Sequence, residues 1–272
     1  MTRLRKEQVR EIGRNLHQYD RDLVRVTGLT LKQIALRAAG LSGEKMSEAL
    51  ASSPVAVVSM TWGEGAIEGF AEAVRDILSH LGAQVFQPEA TDVAGIAEAV
   101  EKGADILFFA DDRRFIALHL SLRRVVDNRE TTARGYVEAL EGASGGLKDR
   151  EVLVIGAAGG VGGHATRFLQ EKQAYVSVCD RDEMRLTSRL EGQKVRFERD
   201  LEKALKRYQI LLDATPASGI IGIRHLAADT IIAAPGIPLG LTGAACRMVQ
   251  GRLIHDPLQI GVATMLSQVI SP

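Results

Sequence analysis

Three glycines spaced three apart, Gly156, Gly159 and Gly162, follow the apolar run Val152-Leu153-Val154-Ile155 and open a stretch of helical pattern to about Lys172. Glycine tolerates the positive φ of a tight turn and lets backbone N–H groups approach an anion. The following helix adds open N–H groups and the positive end of its dipole. Gly156, Gly159, Gly160, Val161 and Gly162 therefore read as a cradle for a pyrophosphate. The pattern is GxxGxxG, one residue longer in the turn than the usual dinucleotide fingerprint. Asp180 closes the next apolar run, Tyr175-Val176-Ser177-Val178-Cys179, 24 residues beyond Gly156. That is close to the place of the carboxylate that binds an adenine ribose. A carboxylate there repels a 2′-phosphate, so NAD is expected as the cofactor. Arg181 beside it pulls towards NADP, because an arginine can hold that phosphate. The bland alternative is a glycine turn with no ligand, but strand, helix and acidic residue together favour the dinucleotide.

Two later strand ends should border the same crevice, where ligands of open parallel sheets bind. Asp213-Ala214-Thr215-Pro216 supplies Thr215 and Pro216, and Ala234-Pro235-Gly236 supplies Pro235 and Gly236. Proline is also an ordinary way to stop a strand. In the first half, Thr61 and Trp62 follow one apolar run, and Asp111-Asp112 follows another. Paired carboxylates at strand ends suit a cationic amine, although an aspartate at Asp112 would serve equally as a helix N-cap. No GxSxG, HExxH or Walker A signature occurs, and His17, His80, His119, His164, His225 and His255 share no spacing. His164 alone falls near enough to the glycine turn to approach a phosphate. Cys179 and Cys246 stand apart from any CxxC or Cys/His pattern and read as buried thiols; no metal site is expected.

The elements that must carry these groups are of α/β type. Residues 1–53 read as a helical N-terminal region, and 54–141 as a small α/β substrate domain with a parallel sheet. Residues 142–272 read as a Rossmann-type dinucleotide-binding domain with C-terminal helices. In the middle region, apolar runs at 55–60, 83–86 and 106–109 alternate with helical patterns, as in βαβ units. Residues 113–126 mix basic and apolar side chains and are expected to be helical, with a further helix over 131–140. Gly142, Ser144, Gly145 and Gly146 mark a boundary near 141–149. The last region offers five strand candidates, followed by a mostly helical tail from Thr242 to Val269.

Lys+Arg and Asp+Glu both number 34, so the net charge is zero and gives no electrostatic reason to expect nucleic acid or an anionic membrane. The partner expected is a small molecule. The charged N-terminus lacks the apolar core of a signal peptide, and no apolar stretch is long enough to span a bilayer. A cytoplasmic protein is expected; a homodimer is compatible with the sequence, which does not fix the oligomeric state.

Several segments of the first half together resemble the pyrrolysine-biosynthesis dehydrogenase family, PylD. They are Arg25-Val26-Thr27-Gly28-Leu29, Gly65-Ala66-Ile67-Glu68-Gly69-Phe70, Ala110-Asp111-Asp112 with Phe115-Ile116-Ala117, and Asn128 through Gly135-Tyr136. Chain length, the helical start and the Rossmann-type second half agree as well, so the resemblance covers essentially the whole sequence. It implies an NAD-dependent oxidation of the terminal amine carbon of 3-methyl-D-ornithyl-lysine. Ring closure and loss of ammonia then give pyrrolysine, the last step of that biosynthesis. It also implies a substrate lying between the helical N-terminal region and the Rossmann domain. Asp111 would bind the substrate amine as the catalytic residue, Asn128 the ligand backbone, and Thr61 or its neighbour Trp62 the adjoining wall. Trp62 departs from the pattern, which leads one to expect a smaller residue there. Two other readings compete. A dehydrogenase of shikimate or methylene-tetrahydrofolate type would carry a catalytic lysine after an early strand, where this chain has Thr61-Trp62. An NAD-binding sensor without catalysis would need an interaction module.

Overall fold

The computed structural model describes residues 4–271. Helices α1 (Lys6–Arg10), α2 (Ile12–Thr27), α3 (Leu31–Ala39) and α4 (Gly43–Ser52) come first. They are followed by β1 (Val55–Val57), α5 (Phe70–His80), β2 (Val85–Phe86), α6 (Asp92–Glu101), β3 (Ile106–Ala110), β4 (Phe115–His119), β5 (Arg124–Asp127) and α7 (Asn128–Ser144). Next come β6 (Glu151–Ile155), α8 (Gly160–Glu171), β7 (Tyr175–Cys179), α9 (Glu183–Arg189), β8 (Arg196–Phe197), α10 (Leu201–Arg207) and β9 (Ile210–Asp213). The chain continues through β10 (Ile231–Ala233), α11 (Gly243–Met248), β11 (Leu253–Ile254) and α12 (Gln259–Val269).

The chain divides into two compact units. Unit 1 holds the residues up to Arg21, Thr30–Gly135 and those from Pro257 onward; unit 2 holds Asp22–Leu29 and Tyr136–Asp256. This division differs from the three regions read from the sequence. The glycine-rich stretch at 142–149 falls inside unit 2, and α12 belongs to unit 1.

Unit 1 is built on a five-stranded sheet in the order β2-β1-β3-β4-β5. β1 pairs in parallel with β2 and β3, and β4 and β5 then run antiparallel. Ala56, Val58 and Leu107 form one apolar layer with Ala99 of α6, and Ile96 packs beside it. α5 buries Phe70, Val74, Ile77 and Leu78, and Phe70 meets Phe115 of β4 edge-to-face at 5.3 Å between ring centres. α12 is buried along almost its whole length and packs on α3, α5, β4 and β5. The helix expected over 113–126 is a β-hairpin instead. Phe115, Ala117 and His119 alternate inward on β4, so the period is that of a strand.

Unit 2 is a six-stranded parallel sheet in the order β11-β10-β9-β6-β7-β8. Read from β8, and counted within the unit, that is 3-2-1-4-5-6, the doubly wound order whose ligand crevice opens between the first and fourth strands. Those strands are β6 and β9. The sixth strand, β11, lies in the tail expected to be mostly helical: it is only two residues long, too short for a periodic signal. The core joins Leu153, Ile155, Leu211 and Ile232 of the strands, and Ala234 just past β10, to Leu205 of α10 and Tyr208 at its end.

Candidate functional site

In unit 2 the turn after β6 is set by its glycines. Gly156 has φ +83°, a conformation costly for any other residue. The Gly159 N–H donates to the Gly156 carbonyl at 3.0 Å, and Gly159 becomes the N-cap of α8. Glycine has no side chain to accept the first N–H groups of the helix, so those of Gly160, Val161 and Gly162 stay open, as an anion requires. A Cβ on Gly162 would collide with the Gly156 carbonyl oxygen, so only glycine lets the helix begin this close to the strand. Asp180, at the end of β7, accepts from the Ala158 N–H at 2.9 Å through Oδ2 and from the Asp182 N–H at 3.0 Å through Oδ1. It buttresses the glycine turn, and since an ionised carboxylate has about four acceptor positions, it keeps capacity for ribose hydroxyls. Arg181 beside it is exposed.

The structure brings the other expected cofactor residues to the same end of the sheet. The Gly236 N–H donates to the Asp213 carbonyl at 3.1 Å, and a Cβ on Gly236 would collide with the Thr215 carbonyl oxygen. A Cβ on Gly156 would lie 3.0 Å from Ala214 and Thr215. Gly156, Thr215-Pro216 and Pro235-Gly236 thus form one continuous rim. Beneath it lies Asp213, fully buried at the end of β9. Its Oδ1 accepts from the Thr215 N–H at 3.1 Å and the Thr215 hydroxyl at 2.7 Å, while its Oδ2 has no partner. Burial pushes this carboxyl up from its ordinary value, against the bonds from Thr215 and the nearby charge of His255, which lower it. His255 reaches the same rim, its Nδ1 2.7 Å from the Ala234 carbonyl.

Unit 1 gathers Thr61, Trp62 and Asp111. Asp111 opens the β3–β4 hairpin turn: its Oδ1 accepts from the Arg113 and Arg114 N–H groups, both at 2.7 Å. Those two amides, with Arg114 foremost, hold the carboxyl below its usual range, helped by the charges of Arg113 and Arg114. Gly63, at φ +72°, lies so close to the backbone of Asp111 and Asp112 that a Cβ would collide with it. The Thr61–Gly65 segment is therefore seated against the hairpin turn. Trp62 is 72% exposed. Asn128 begins α7, where its Oδ1 accepts from the Thr132 hydroxyl at 3.2 Å and abuts Gly261 of α12.

The remaining candidates play other parts. His164 stacks on Phe168 one helical turn further along α8, at 6.4 Å. Cys179 is buried and its thiol is pushed up to about 11, first by desolvation and then by Asp180. Cys246 is half-buried. Tyr136, fully buried, donates to the Asp256 carbonyl at 3.0 Å. Among the described residues no group of three His, Cys, Asp or Glu side chains could hold a metal, and no helix is long and apolar enough to cross a membrane. Three residues at these sites carry little sign of their role in the sequence. Asp92, which binds Thr61, reads in sequence as an ordinary helix start after Thr91. Asp213 reads in sequence only as part of a strand-end motif, with no sign of its burial. His255 was one of six scattered histidines, and only its place after β11 singles it out.

The N-terminal domain model of pyrrolysine biosynthesis protein PylD matches residues 8–126. A pyrrolysine synthase from Methanosarcina barkeri is 32% identical over 99% of this chain and 98% of its own length. One from Methanosarcina acetivorans is 30% identical over 99% of this chain and 100% of its own. Among solved structures, the quinate dehydrogenase of Corynebacterium glutamicum in complex with NAD superposes with a TM-score of 0.55 at 14% identity, covering 80% of this chain and 94% of that one. The shikimate 5-dehydrogenase of Thermus thermophilus in complex with NADP(H) and shikimate gives 0.52 at 15%, covering 80% and 93%. The two solved structures share the fold; the relatives are similar in sequence from end to end. The chain belongs to the pyrrolysine biosynthesis protein PylD family.

Proposed function

We propose that the protein is an NAD-dependent dehydrogenase that oxidises the terminal amine carbon of 3-methyl-D-ornithyl-lysine and so forms pyrrolysine. Supporting this most directly is the end-to-end similarity to two pyrrolysine synthases, in a chain whose glycine turn leaves the first amides of α8 open. The residues fit the cofactor. Open N–H groups at Gly160 to Gly162 suit a diphosphate, Asp180 suits an adenine ribose and disfavours a 2′-phosphate, and the rim of Thr215, Pro216, Pro235 and Gly236 suits the nicotinamide end. Bound there, NAD+ supplies the two-electron acceptor.

The protein's own part is binding and field. Asp111 stays ionised at neutral pH because two amides hold its carboxyl low. A carboxylate held low is a weak base but a good counter-charge, so its role is to hold the substrate ammonium and, once that nitrogen has released a proton to solvent, to stabilise the cationic iminium as the C–H hydrogen leaves with its electron pair. The α-amine nitrogen then attacks the iminium carbon and ammonia departs. Counted from the dipeptide with both reacting amines neutral, the sum is dipeptide plus NAD+ giving pyrrolysine, NADH and ammonium. Thr61, Trp62 and Asn128 complete the substrate contacts in this reading. Nicotinamide absorbance followed with the methyl-ornithyl-lysine dipeptide, NAD+ and the purified chain tests it. Reduction with release of ammonia is expected; silence despite tight NAD binding would favour a sensor, and turnover of shikimate in its place would overturn the substrate.

A further inference from the structure

Asp92 is one of only four non-glycine residues with positive φ among the described residues, at +54° in the first position of α6. Such a conformation is uncommon outside glycine and persists where surrounding contacts hold it. The contacts here run to the loop after β1. The Asp92 N–H donates to the Ser59 carbonyl at 2.9 Å. In return, the Asp92 carboxylate accepts from the Thr61 N–H at 2.9 Å through Oδ1 and from the Thr61 hydroxyl at 2.6 Å through Oδ2. The Thr91 hydroxyl adds a longer bond to Oδ2 at 3.3 Å. α6 is itself fastened at this end: Glu98 accepts from the N–H groups of Glu89 and Ala90, at 3.2 and 2.9 Å.

The direction of the Thr61 bond has a chemical consequence. An ionised carboxylate cannot donate, so the Thr61 hydroxyl hydrogen is committed to Asp92, and only its oxygen lone pairs face any ligand. Two residues on, Gly63 seats this loop against Asp111, whose Oδ1 is taken by two amides and whose Oδ2 is also purely an acceptor. The Thr61 oxygen and the second Asp111 oxygen thus both accept, as a cationic amine requires, while the Arg114 guanidinium of the same turn is engaged by Asp127 at 3.0 Å. We infer that Asp92 is a positioning residue that locks Thr61 as a hydrogen-bond acceptor for the substrate ammonium. This rests on the amine-oxidising function proposed above.

Steady-state assays of the full chain with the dipeptide compare Asp92→Asn, Asp92→Gly, Thr61→Val and the double variant Asp92→Gly/Thr61→Val. Asp92→Asn can accept only through its single carbonyl oxygen, and its NH2 turns the Thr61 hydroxyl outward as a donor. Asp92→Gly eases the positive φ while removing the carboxylate, which protects the fold. Each single variant is expected to raise KM for the dipeptide roughly tenfold or more, the scale of one hydrogen bond to a charged group, with kcat within about threefold. NAD affinity is expected to stay unchanged. The double variant should lose no more than Thr61→Val alone, because the changes report a single contact. An unchanged KM in Asp92→Gly, or additive losses in the double variant, would overturn the inference. A second arm needs no turnover: the Thr61 amide, followed by 15N–1H NMR, should shift and exchange faster in Asp92→Gly, and an unmoved signal also overturns it. Failure of the wild-type chain to turn over the dipeptide sinks the proposed function and leaves this NMR arm to decide the role of Asp92.

Discussion

Two aspartates show how differently one side chain behaves when its surroundings change. Asp111, exposed and fed by two amides, is held low and stays charged; Asp213, buried with one oxygen unpartnered, is pushed up. For Asp111 the expectation is a loss of turnover without a loss of cofactor. Asp111→Ala should lower kcat/KM roughly a hundredfold, the upper scale for a hydrogen bond between charged groups, while NAD titration by fluorescence is unaltered. For Asp213 the consequence is a pH dependence of stability. A carboxyl raised in the folded state favours folding most below its unfolded value, and that contribution is lost as pH rises through the folded value. Asp213→Asn carries no charge to bury, so its melting temperature relative to wild type should improve as pH rises from the ordinary carboxyl range to pH 8; a constant difference over that whole span would show that Asp213 is not raised. Cys179, its thiol pushed up to about 11, should resist iodoacetamide at pH 8 in the folded protein. Rapid carboxymethylation at that position, read by peptide mass, would contradict its burial.

At the scale of elements, what could be read in advance followed from how strongly each pattern departs from its surroundings. β6 and β7 are continuous apolar runs buried on both faces, each ending in residues that stop a strand, and they were legible with the glycine turn and Asp180. The β4–β5 hairpin was not. Its inward position at His119 is polar, which breaks the apolar alternation. Its turn, Leu120 to Arg123, contains no glycine, proline or asparagine, and Arg123 takes φ +51° without advertising it. The strand matters to the candidate site, because the β3–β4 turn that gives Asp111 its two amide bonds exists only where β4 pairs back on β3. Asp92 was hidden for a related reason: residue type alone does not reveal which side chain reaches across to Thr61, 31 positions away in sequence. Two glycines test how closely the elements approach. Gly162→Ala, which drives a methyl into the Gly156 carbonyl, should cost about 1–3 kcal/mol of stability, as overpacking does, and weaken NAD binding at least about tenfold. Gly63→Ala combines the same kind of collision with a positive φ, and should raise KM for the dipeptide with NAD binding preserved. Chemical denaturation and steady-state kinetics read both outcomes.

At the scale of the molecule, the strand order of unit 2 predicts where ligand binding is felt. NAD at about a hundred times its dissociation constant should stabilise the fold that binds it by about 2.7 kcal/mol. Hydrogen exchange should slow first at residues 157–163 and around Thr215, while the amides of β4 and β5 change least. Protection spread evenly over both units would speak against a cofactor seated on the glycine turn. The passage of the chain has a consequence of its own. α12 packs on α3, α5, β4 and β5, yet it is translated after every strand of unit 2. On the ribosome, then, the apolar bed prepared for α12 must wait uncovered while 121 intervening residues, Tyr136–Asp256, emerge and fold. During that interval the nascent chain carries an apolar surface that a chaperone can shield.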